Sequence, residues 1–342
     1  MSNEKSLASK TATRRRFILA AAAAAILTSA ALGTVAEAAQ PKTIRLDWAY
    51  YNPVSLLLKD KGWLEQEFAG DDIAIQWTQS LGSNKALELL NSSSVDFGST
   101  AGAAALLAKV NGNPIKAIYV YSKPEWTALV TRPDTGITKV EDLKGKTVAA
   151  ARGTDPYIFL IRALDHAGLT EKDVKIVLLQ HPDGKNALLS KQVDAWAGLD
   201  PYMAQAELES GATLFYRNPD ANTYGVLNVR QEFAEDHPEL VERVLAVYEK
   251  ARKYAIDHPD ELKQALVKAA KLSDAVAQKQ LGERTDLSDP VIGPKQRESI
   301  LAAGKVLQKG GLIPADQSVE SAVDGLIDPQ YIQHVVKKLA SL

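Results

Sequence analysis

Small polar residues gather at five places where a predicted strand leads into a predicted helix. These segments are residues 50–53, 80–85, 98–102, 152–157 and 196–202. They are rich in glycine, serine, threonine and asparagine, and an Asn-Pro or Asp-Pro pair starts three of the helices. The start of a helix presents unpaired backbone N–H groups at the positive end of its dipole, which favours an anion. The segments therefore predict a site for a small acidic molecule.

Aromatic side chains beside these segments could cover the apolar part of such a ligand. They are Trp48, Tyr50, Tyr51, Trp126, Tyr157, Trp196 and Tyr202. Donors for an anion together with aromatic walls are typical of a pocket for a small organic acid. An aromatic residue near the end of a strand can equally belong to the core, so each residue taken singly is also compatible with a structural role.

Signatures of catalysis are incomplete in this chain. Residues 98–102 resemble a nucleophile elbow, but the central residue is Thr100 rather than serine. Residues 145–147 resemble the end of a phosphate-binding loop, yet Val140 replaces the required glycine and a strand follows. The five histidines show no metal-ligand spacing, and the absence of cysteine excludes a disulfide scaffold, a zinc finger and a thiol nucleophile. We therefore expect no catalytic residues, no metal and no cofactor.

The elements that position the five segments occur twice. A strand–helix–strand–helix–strand unit begins near Thr43, and a second begins near Lys146. Val95-Asp96 in the first unit matches Val193-Asp194 in the second at an offset of 98 residues. The repeated order predicts two α/β lobes, with ligand at the carboxyl ends of their strands. The chain from Pro238 onward has helical spacing and should pack back on one lobe.

The length and the first residues set the context for these lobes. A chain of 342 residues, 46% hydrophobic and 24% charged, is typical of about two globular domains. Residues 13–19 fit a twin-arginine export signal, and an alanine-rich stretch leads to a small-residue cleavage site at Ala36-Glu37-Ala38. A retained membrane anchor is the alternative, but the stretch is only marginally hydrophobic. We expect cleavage after Ala38 and, without cysteine, no lipid anchor, which leaves the protein free in a periplasm.

Charge argues against nucleic acid as a partner. The full chain has a formal net charge of -2. Without residues 1–38 it has 35 basic and 40 acidic residues, a net charge of -5. A mildly acidic protein has little general attraction for DNA or anionic lipid.

Several motifs together resemble one family. The run Gly82-Ser-Asn-Lys-Ala-Leu87 is followed by Val95-Asp-Phe-Gly-Ser-Thr100, Glu141-Asp-Leu-Lys-Gly-Lys-Thr-Val148, Val193-Asp-Ala-Trp196 and Asp200-Pro-Tyr202. In this order they resemble the aliphatic sulfonate and taurine substrate-binding proteins of ABC importers. The resemblance covers residues 42–340, and the wider family also includes binders of nitrate, bicarbonate and pyrimidine precursors of thiamine.

The resemblance implies a periplasmic binding protein fold, in which two α/β lobes joined by two crossover strands close over a ligand. Residues 41–128 and 227–342 would form the first lobe, which the helical tail completes, and residues 129–226 the second. The crossovers would be Trp126–Pro133 and Asn218–Val229.

The resemblance also implies which residues contact the ligand. From the first lobe these would be Tyr51, Gly82, Ser83, Asn84, Ser99 and Thr100, with Trp126 on the crossover. From the second lobe and the hinge they would be Arg152, Gly153, Thr154, Tyr157, Trp196, Asp200 and Asn222. Arg284 in the tail would be an additional charge partner. Asp155 departs from the serine common in the family. If it is only a helix cap nothing changes, and if it faces the cleft a ligand with an amine or hydroxyl is favoured.

The function implied is delivery of a small organic anion, foremost an aliphatic sulfonate, to an ABC transporter permease. Export by the twin-arginine translocase and a monomeric state are expected. The alternatives are a binder of a thiamine-precursor pyrimidine, nitrate or taurine, and a periplasmic enzyme that uses the same cleft.

Overall fold

The structure, a computed structural model, describes residues 39–341. The predicted export signal and cleavage site therefore lie outside the described residues. Eleven strands form two sheets within this part of the chain. The strands are β1 (Thr43–Trp48), β2 (Ala74–Gln79), β3 (Phe97–Ala101), β4 (Ile115–Pro124), β5 (Leu129–Thr131), β6 (Thr147–Ala150), β7 (Lys175–Leu178), β8 (Ala195–Ala197), β9 (Thr213–Tyr216), β10 (Gly225–Arg230) and β11 (Thr285–Asp286).

Helices follow or precede most of these strands. They are α1 (Pro53–Lys61), α2 (Trp63–Phe68), α3 (Ser83–Asn91), α4 (Gly102–Val110), α5 (Asp155–His166), α6 (His181–Leu189), α7 (Tyr202–Ser210), α8 (Gln231–Asp236), α9 (Pro238–Asp257), α10 (Pro259–Ala270), α11 (Asp274–Gln278), α12 (Pro294–Lys309), α13 (Val319–Leu326) and α14 (Gln330–Leu339). Several short 3-10 turns and one π-helical turn, Lys279–Glu283, connect them.

Two sheets organise the molecule. The first has the strand order β11-β4-β10-β3-β1-β2, and the second has the order β7-β6-β8-β5-β9. We call each sheet with its helices a lobe, the first lobe being that of the six-stranded sheet. In both sheets three parallel strands each lead into a helix, β1, β2 and β3 in the first and β6, β7 and β8 in the second. The predicted duplication is therefore confirmed as an order of elements.

The chain passes between the sheets twice. Residues 125–128 link β4 to β5, and residues 217–224 link β9 to β10. Both links are shorter than the predicted crossovers, because part of each predicted range is strand. The predicted lobe boundaries at 128/129 and 226/227 stay a prediction.

Local sequence explains where the helices of the cleft begin. Asn52 caps α1 by accepting a hydrogen bond from Ser55 N at 3.2 Å, with Pro53 in the first turn, as predicted. The prediction that Asp155 caps α5 is wrong, because the helix already begins at Asp155 and Thr154 holds the capping position. The Asp155 side chain is therefore available for contacts elsewhere.

One predicted loop is part of a strand. Residues 98–102 were expected to connect a strand ending at Phe97 to a helix, but β3 continues to Ala101 and is buried along its whole length. β3 pairs with β1 on one side and with β10 on the other, so its small residues fit a central strand covered on both faces. The nucleophile-elbow resemblance therefore has no structural counterpart.

The helical tail packs on the first lobe, as predicted, and it also reaches the second. α12 and α13 contact α4, while α12 also contacts α5 of the second lobe. A Cβ on Gly102 would lie 2.7 Å from Ile300 of α12, so this glycine permits the close approach. The tail also adds the short strand β11, which pairs with β4 and was not predicted.

Candidate functional site

A small cavity lies where the helix starts of the two lobes meet. Its lining comes from both lobes and from the first crossover: Tyr51, Ser83, Trp126, Thr154, Asp155, Pro156 and Leu199. Its volume is about 10 Å³, room for about one water molecule. A larger groove of about 570 Å³ lies between α9–α10 and residues 278–288 of the tail, and none of the five predicted segments lines it. The small cavity is the candidate site, because converging helix ends and aromatic rings meet there.

Two helices of opposite lobes begin at this cavity. α3 begins at Ser83 and α5 at Asp155, with Thr154 before it, and no side chain caps either helix. Lys85 N donates the first hydrogen bond of α3, to Gly82 O at 3.0 Å. The N–H groups of Ser83 and Asn84 therefore have no partner within the helix. Uncapped N–H groups and two helix dipoles therefore converge on one cavity, an arrangement that favours an anion.

Tyr51 and Trp126 form the aromatic part of the lining. Their rings meet edge to face, with centroids 5.9 Å apart. The Tyr51 hydroxyl donates to Ser99 O at 3.0 Å and lies 2.9 Å from Ser80 Oγ. Burial raises the pKa of Tyr51 well above its ordinary value. Tyr51 is therefore neutral with its hydroxyl engaged in the first lobe, so its ring is what it offers to the cavity.

Asp155 is buried in the cavity wall and binds both crossovers. Its Oδ2 accepts from Trp126 Nε1 at 2.8 Å and from Thr223 N at 3.0 Å. Its Oδ1 accepts from Thr223 Oγ1 at 2.7 Å. Burial raises its pKa, while these hydrogen bonds act in the opposite direction. Neither alternative of the sequence analysis describes this residue, because its carboxyl lines the cleft but is engaged by the chain itself.

A buried carboxyl also supports the first lobe's side of the cavity. Asp47, at the end of β1, accepts from Ser80 Oγ at 2.6 Å, and from the amide and hydroxyl of Ser99 at 2.9 and 2.7 Å. Burial raises the pKa of Asp47 to about 6. The network joins β1, the residue after β2 and the middle of β3, three adjacent strands, and it fixes the backbone from which Tyr51 projects.

Comparison with known proteins gives the family. The sequence profile described as NMT1/THI5 like matches residues 55–262. The chain belongs to this family.

Two similar proteins carry the name of a binding protein. This NMT1/THI5-like protein is 28% identical over 234 residues to a provisionally named aliphatic sulfonates-binding protein of Bacillus subtilis, which covers 68% of this chain and 70% of the relative. It is 29% identical over 227 residues to a protein of Escherichia coli with the same provisional name, at 66% and 70% coverage.

Solved structures confirm the periplasmic binding protein fold. The alkanesulfonate-binding protein SsuA from Xanthomonas axonopodis pv. citri, bound to MOPS, superposes with a TM-score of 0.76 at 23% identity, covering 83% of this chain and 99% of that one. The desulfurization enzyme DSZB superposes with a TM-score of 0.65 at 15% identity, covering 86% and 99%. The fold is thus shared by a binder and an enzyme, and the fold alone does not separate these two functions.

Neither a membrane-spanning helix nor a cluster of metal ligands occurs in the described residues. In residues 39–341, none of the helices has the length and apolar character needed to cross a bilayer. The same residues contain no group of three or more histidine and acidic side chains placed to hold a metal ion.

Of the fifteen predicted site residues of this family member, the structure places four in the lining. They are Tyr51, Ser83, Trp126 and Thr154. Three more, Gly82, Asn84 and Gly153, lie where the two lobes touch. A Cβ on Gly153 would lie 3.4 Å from Asn84 Cβ, and one on Gly82 would lie 3.0 Å from Asn84 Oδ1.

Ser99 and Thr100 lie beneath the cavity rather than in its lining. Ser99 Oγ donates to Asp47 and accepts from Asn52 Nδ2 at 2.8 Å. Thr100 Oγ1 accepts from Asn228 Nδ2 at 2.7 Å. Both side chains are buried and engaged within the first sheet, so they support the site without lining it.

Arg152 and Tyr157 are not among the residues that line the cavity. The Arg152 side chain is 52% exposed and pairs with Glu171 at 2.8 Å. The Tyr157 hydroxyl donates to the same carboxylate at 3.0 Å, and the guanidinium lies over its ring. Arg152, named by the sequence analysis as a ligand contact, is thus bound to Glu171 in this structure, and its contact with a ligand stays a prediction.

Trp196 belongs to the core of the second lobe. It is fully buried, and a Cβ on Gly184 would lie 2.6 Å from its Nε1, so α6 packs directly on the indole. Trp196 is therefore a core residue in this structure, which is the alternative that the sequence analysis gave for each aromatic residue.

The last three predicted residues make contacts between separate segments. Asp200 and Arg284 join the second lobe to the tail, and Asn222 joins the two crossovers. Arg284 Nη1 lies 3.3 Å from both carboxylate oxygens of Asp200, and its Nη2 donates to Glu207, so the tail is paired with the second lobe. Asn222 Oδ1 accepts from Thr127 N at 2.9 Å, which ties the two crossovers together. Burial raises the pKa of Asp200 to about 6, and Arg284 acts in the opposite direction.

Three residues at the cleft were missed by the sequence analysis. Pro156 and Leu199 line the cavity, and His181 is buried against Gly82 at the lobe contact. The proline and the leucine carry no chemical signature. The sequence predicts His181 in a loop between a strand ending at Leu179 and a helix starting at Asn186, whereas α6 already begins at His181, and its place after a strand was the available signal.

Proposed function

We propose that this protein is an exported solute-binding protein that captures an aliphatic sulfonate for an ABC importer. The observation that carries the proposal is the convergence of two uncapped helix starts, at Ser83 and Thr154, on one aromatic-walled cavity between the lobes. Relatives named for aliphatic sulfonates support this choice of ligand.

Recognition of the anion rests on neutral donors in this proposal. Backbone N–H groups of α3 and α5 bind the sulfonate oxygens, and Tyr51 and Trp126 cover the carbon chain. Arginine is not among the residues that line the cavity. Selection therefore depends on dipoles fixed in a desolvated site, where they act more strongly than in water.

Closure and opening of the lobes are part of the same proposal. The cavity holds about one water molecule, which is less than any sulfonate requires. The lobes therefore separate to admit the ligand, and the two crossovers, tied by Asn222 and Thr127, are the hinge.

The finer expectations belong to this proposal as well. The twin-arginine translocase exports the chain, cleavage after Ala38 frees it in the periplasm without a lipid anchor, and it works as a monomer that delivers ligand to the permease. The protein performs no chemistry on its ligand.

Calorimetry with a ligand panel tests the proposal. We expect ethanesulfonate, taurine or a longer alkanesulfonate to bind, and nitrate and hydroxymethylpyrimidine to bind more weakly or not at all. Tight binding of nitrate or the pyrimidine with no heat from any sulfonate would contradict the choice of ligand. Release of sulfite from a bound sulfonate would contradict the assignment as a binder.

A bulky substitution in the lining tests whether the sulfonate binds in this cavity. Leu199→Trp fills the lining and should abolish sulfonate binding. Leu208→Trp is the matched control, because Leu208 lies 46% exposed on α7 of the same lobe. Equal affinities of the two variants would show that the ligand binds elsewhere.

A further inference from the structure

His181 is a buried polar side chain without a partner. It is 0% exposed, and neither ring nitrogen has a hydrogen-bond partner in residues 39–341. Burial alone lowers its pKa to about 3, so the imidazole is neutral near pH 7. Buried polar groups in folded proteins nearly always have a partner, and an unsatisfied one calls for an explanation.

The polar groups around His181 come from both lobes. A Cβ on Gly82 would lie 3.1 Å from His181 Nε2 and 3.0 Å from Asn84 Oδ1, so both atoms flank the same glycine. Asn84 Oδ1 and Gln180 Oε1 are also buried without a partner. Beside Gly82, the lone carbonyl oxygen of Asn84 and the neutral imidazole, with one acceptor and one donor nitrogen, together offer two acceptors and one donor.

The duplication connects this group to the cavity. His181 is the first residue of α6 after β7, and Ser83 is the first residue of α3 after β2. The two lie 98 residues apart, the offset that relates the repeated units. Ser83 lines the cavity, and its neighbours Gly82 and Asn84 contact or flank the histidine. His181 is thus the second lobe's counterpart of a cavity residue and faces the same turn.

We propose that His181 and Asn84, one from each lobe, form a second polar subsite that accepts a hydrogen bond from the end of the ligand remote from its sulfonate. The proposal rests on the proposed function and deepens it. The helix starts favour the anionic end, whereas an acceptor-dominated group suits a hydroxyl or amino hydrogen. The ligand class is then a short sulfonate with a hydroxyl or amine at its far end.

The same arrangement couples closure to ligand. The lobe contact buries His181 and Asn84 together, and each must give up water when the lobes meet. A ligand that supplies the missing hydrogen bonds removes this penalty, whereas one without a second polar group does not. The subsite therefore favours ligands whose second polar group supplies these hydrogen bonds, because the lobes close over them at a lower cost.

Matched ligand pairs test the subsite by calorimetry. The pairs are ethanesulfonate against 2-hydroxyethanesulfonate and taurine, and propanesulfonate against its 3-hydroxy and 3-amino analogues. The wild-type protein should bind the polar member of at least one pair roughly 5- to 10-fold more tightly. His181→Phe should remove this preference and leave the bare sulfonate within about twofold. His181→Gln should retain part of the preference, and Asn84→Ala should reduce it.

Controls separate this proposal from the others. His166→Phe, at the exposed end of α5, should leave every affinity unchanged. If His181→Phe does not fold, Asn84→Ala alone decides, because its Oδ1 has no partner to lose. Equal affinity of the wild-type protein within every pair, or equal weakening of all sulfonates in the variants, overturns the subsite. Absence of any sulfonate binding by the wild-type protein overturns the proposed function as well.

Discussion

The two walls of the cavity are held in different ways. On the first-lobe side, Asp47 near the end of β1 is bound by Ser80, which follows β2, and by Ser99 within β3, so all three belong to one sheet region. On the second-lobe side, Asp155 is bound by Trp126 and Thr223, which lie on the links between the sheets. The first wall is therefore built into its own lobe, while the second is fastened to the hinge.

The largest effect should come from breaking the hinge-fastened wall. Asp155→Ala removes the acceptor of Trp126 Nε1 and of the Thr223 amide, and it leaves both donors buried. We expect a loss of about 3 kcal/mol in the free energy of unfolding, together with weaker ligand binding. Urea denaturation and calorimetry measure the two. Asp165→Ala, at the other end of the same helix, is the control, and a similar small loss in both variants would argue against a structural role for Asp155.

On the first-lobe side, the buried Asp47 should make the free energy of unfolding depend on pH. Because burial raises the pKa of Asp47 to about 6, the folded protein holds a proton that the unfolded chain has already lost between pH 4 and 6. The wild-type protein should therefore lose stability relative to Asp47→Asn as the pH rises through this range, by up to about 3 kcal/mol. Above pH 6 the difference should be constant. Parallel stability curves from pH 4 to 7 would mean that the carboxyl titrates normally.

A pair of glycines sharpens the comparison at the lobe contact. Gly153 and Gly168 both have left-handed backbones, with φ of +78° and +72°, but only Gly153 faces the other lobe. Either glycine replaced by alanine should cost about 1 kcal/mol of stability. Gly153→Ala should also weaken ligand binding, because relief of its left-handed strain would shift the backbone that faces Asn84 of the other lobe. Equal affinities in the two variants would contradict closure at this contact.

The smallest effect is expected at Arg152, which the sequence analysis named as a ligand contact. Arg152 forms an exposed ion pair with Glu171, and such pairs contribute little. Arg152→Ala should change stability by less than about 0.5 kcal/mol and leave affinity unchanged. A tenfold loss of affinity would show that the side chain turns into the cleft when ligand binds.

The order of elements and the position of the cleft follow from local sequence. The repeated unit, the asparagine cap of α1 and the helical tail are each visible in a short stretch of chain, and the structure confirms them. The segment at 98–102 was misplaced, because glycine, serine and threonine are typical of loops, whereas tertiary pairing with β1 and β10 makes it a strand.

The direction of side chains was less predictable than their position. Trp196 and Trp126 were both named as ligand contacts, yet one fills the core under α6 and the other lines the cavity. Arg152 and Asp155 lie in one segment and face opposite ways. These outcomes depend on contacts with distant parts of the chain, such as Thr223 and Glu171, which no local pattern contains.

The contact of α12 with both lobes determines how the cleft can move. Ile300 of this helix packs against the turn at Gly102, and Gly310, just after its end, lies beside Ile161 of α5. A pure rotation about the crossovers would pull α5 off this surface and expose apolar side chains. If the lobes open as proposed, we expect α5 to slide along α12, so that the motion combines a hinge with a shear.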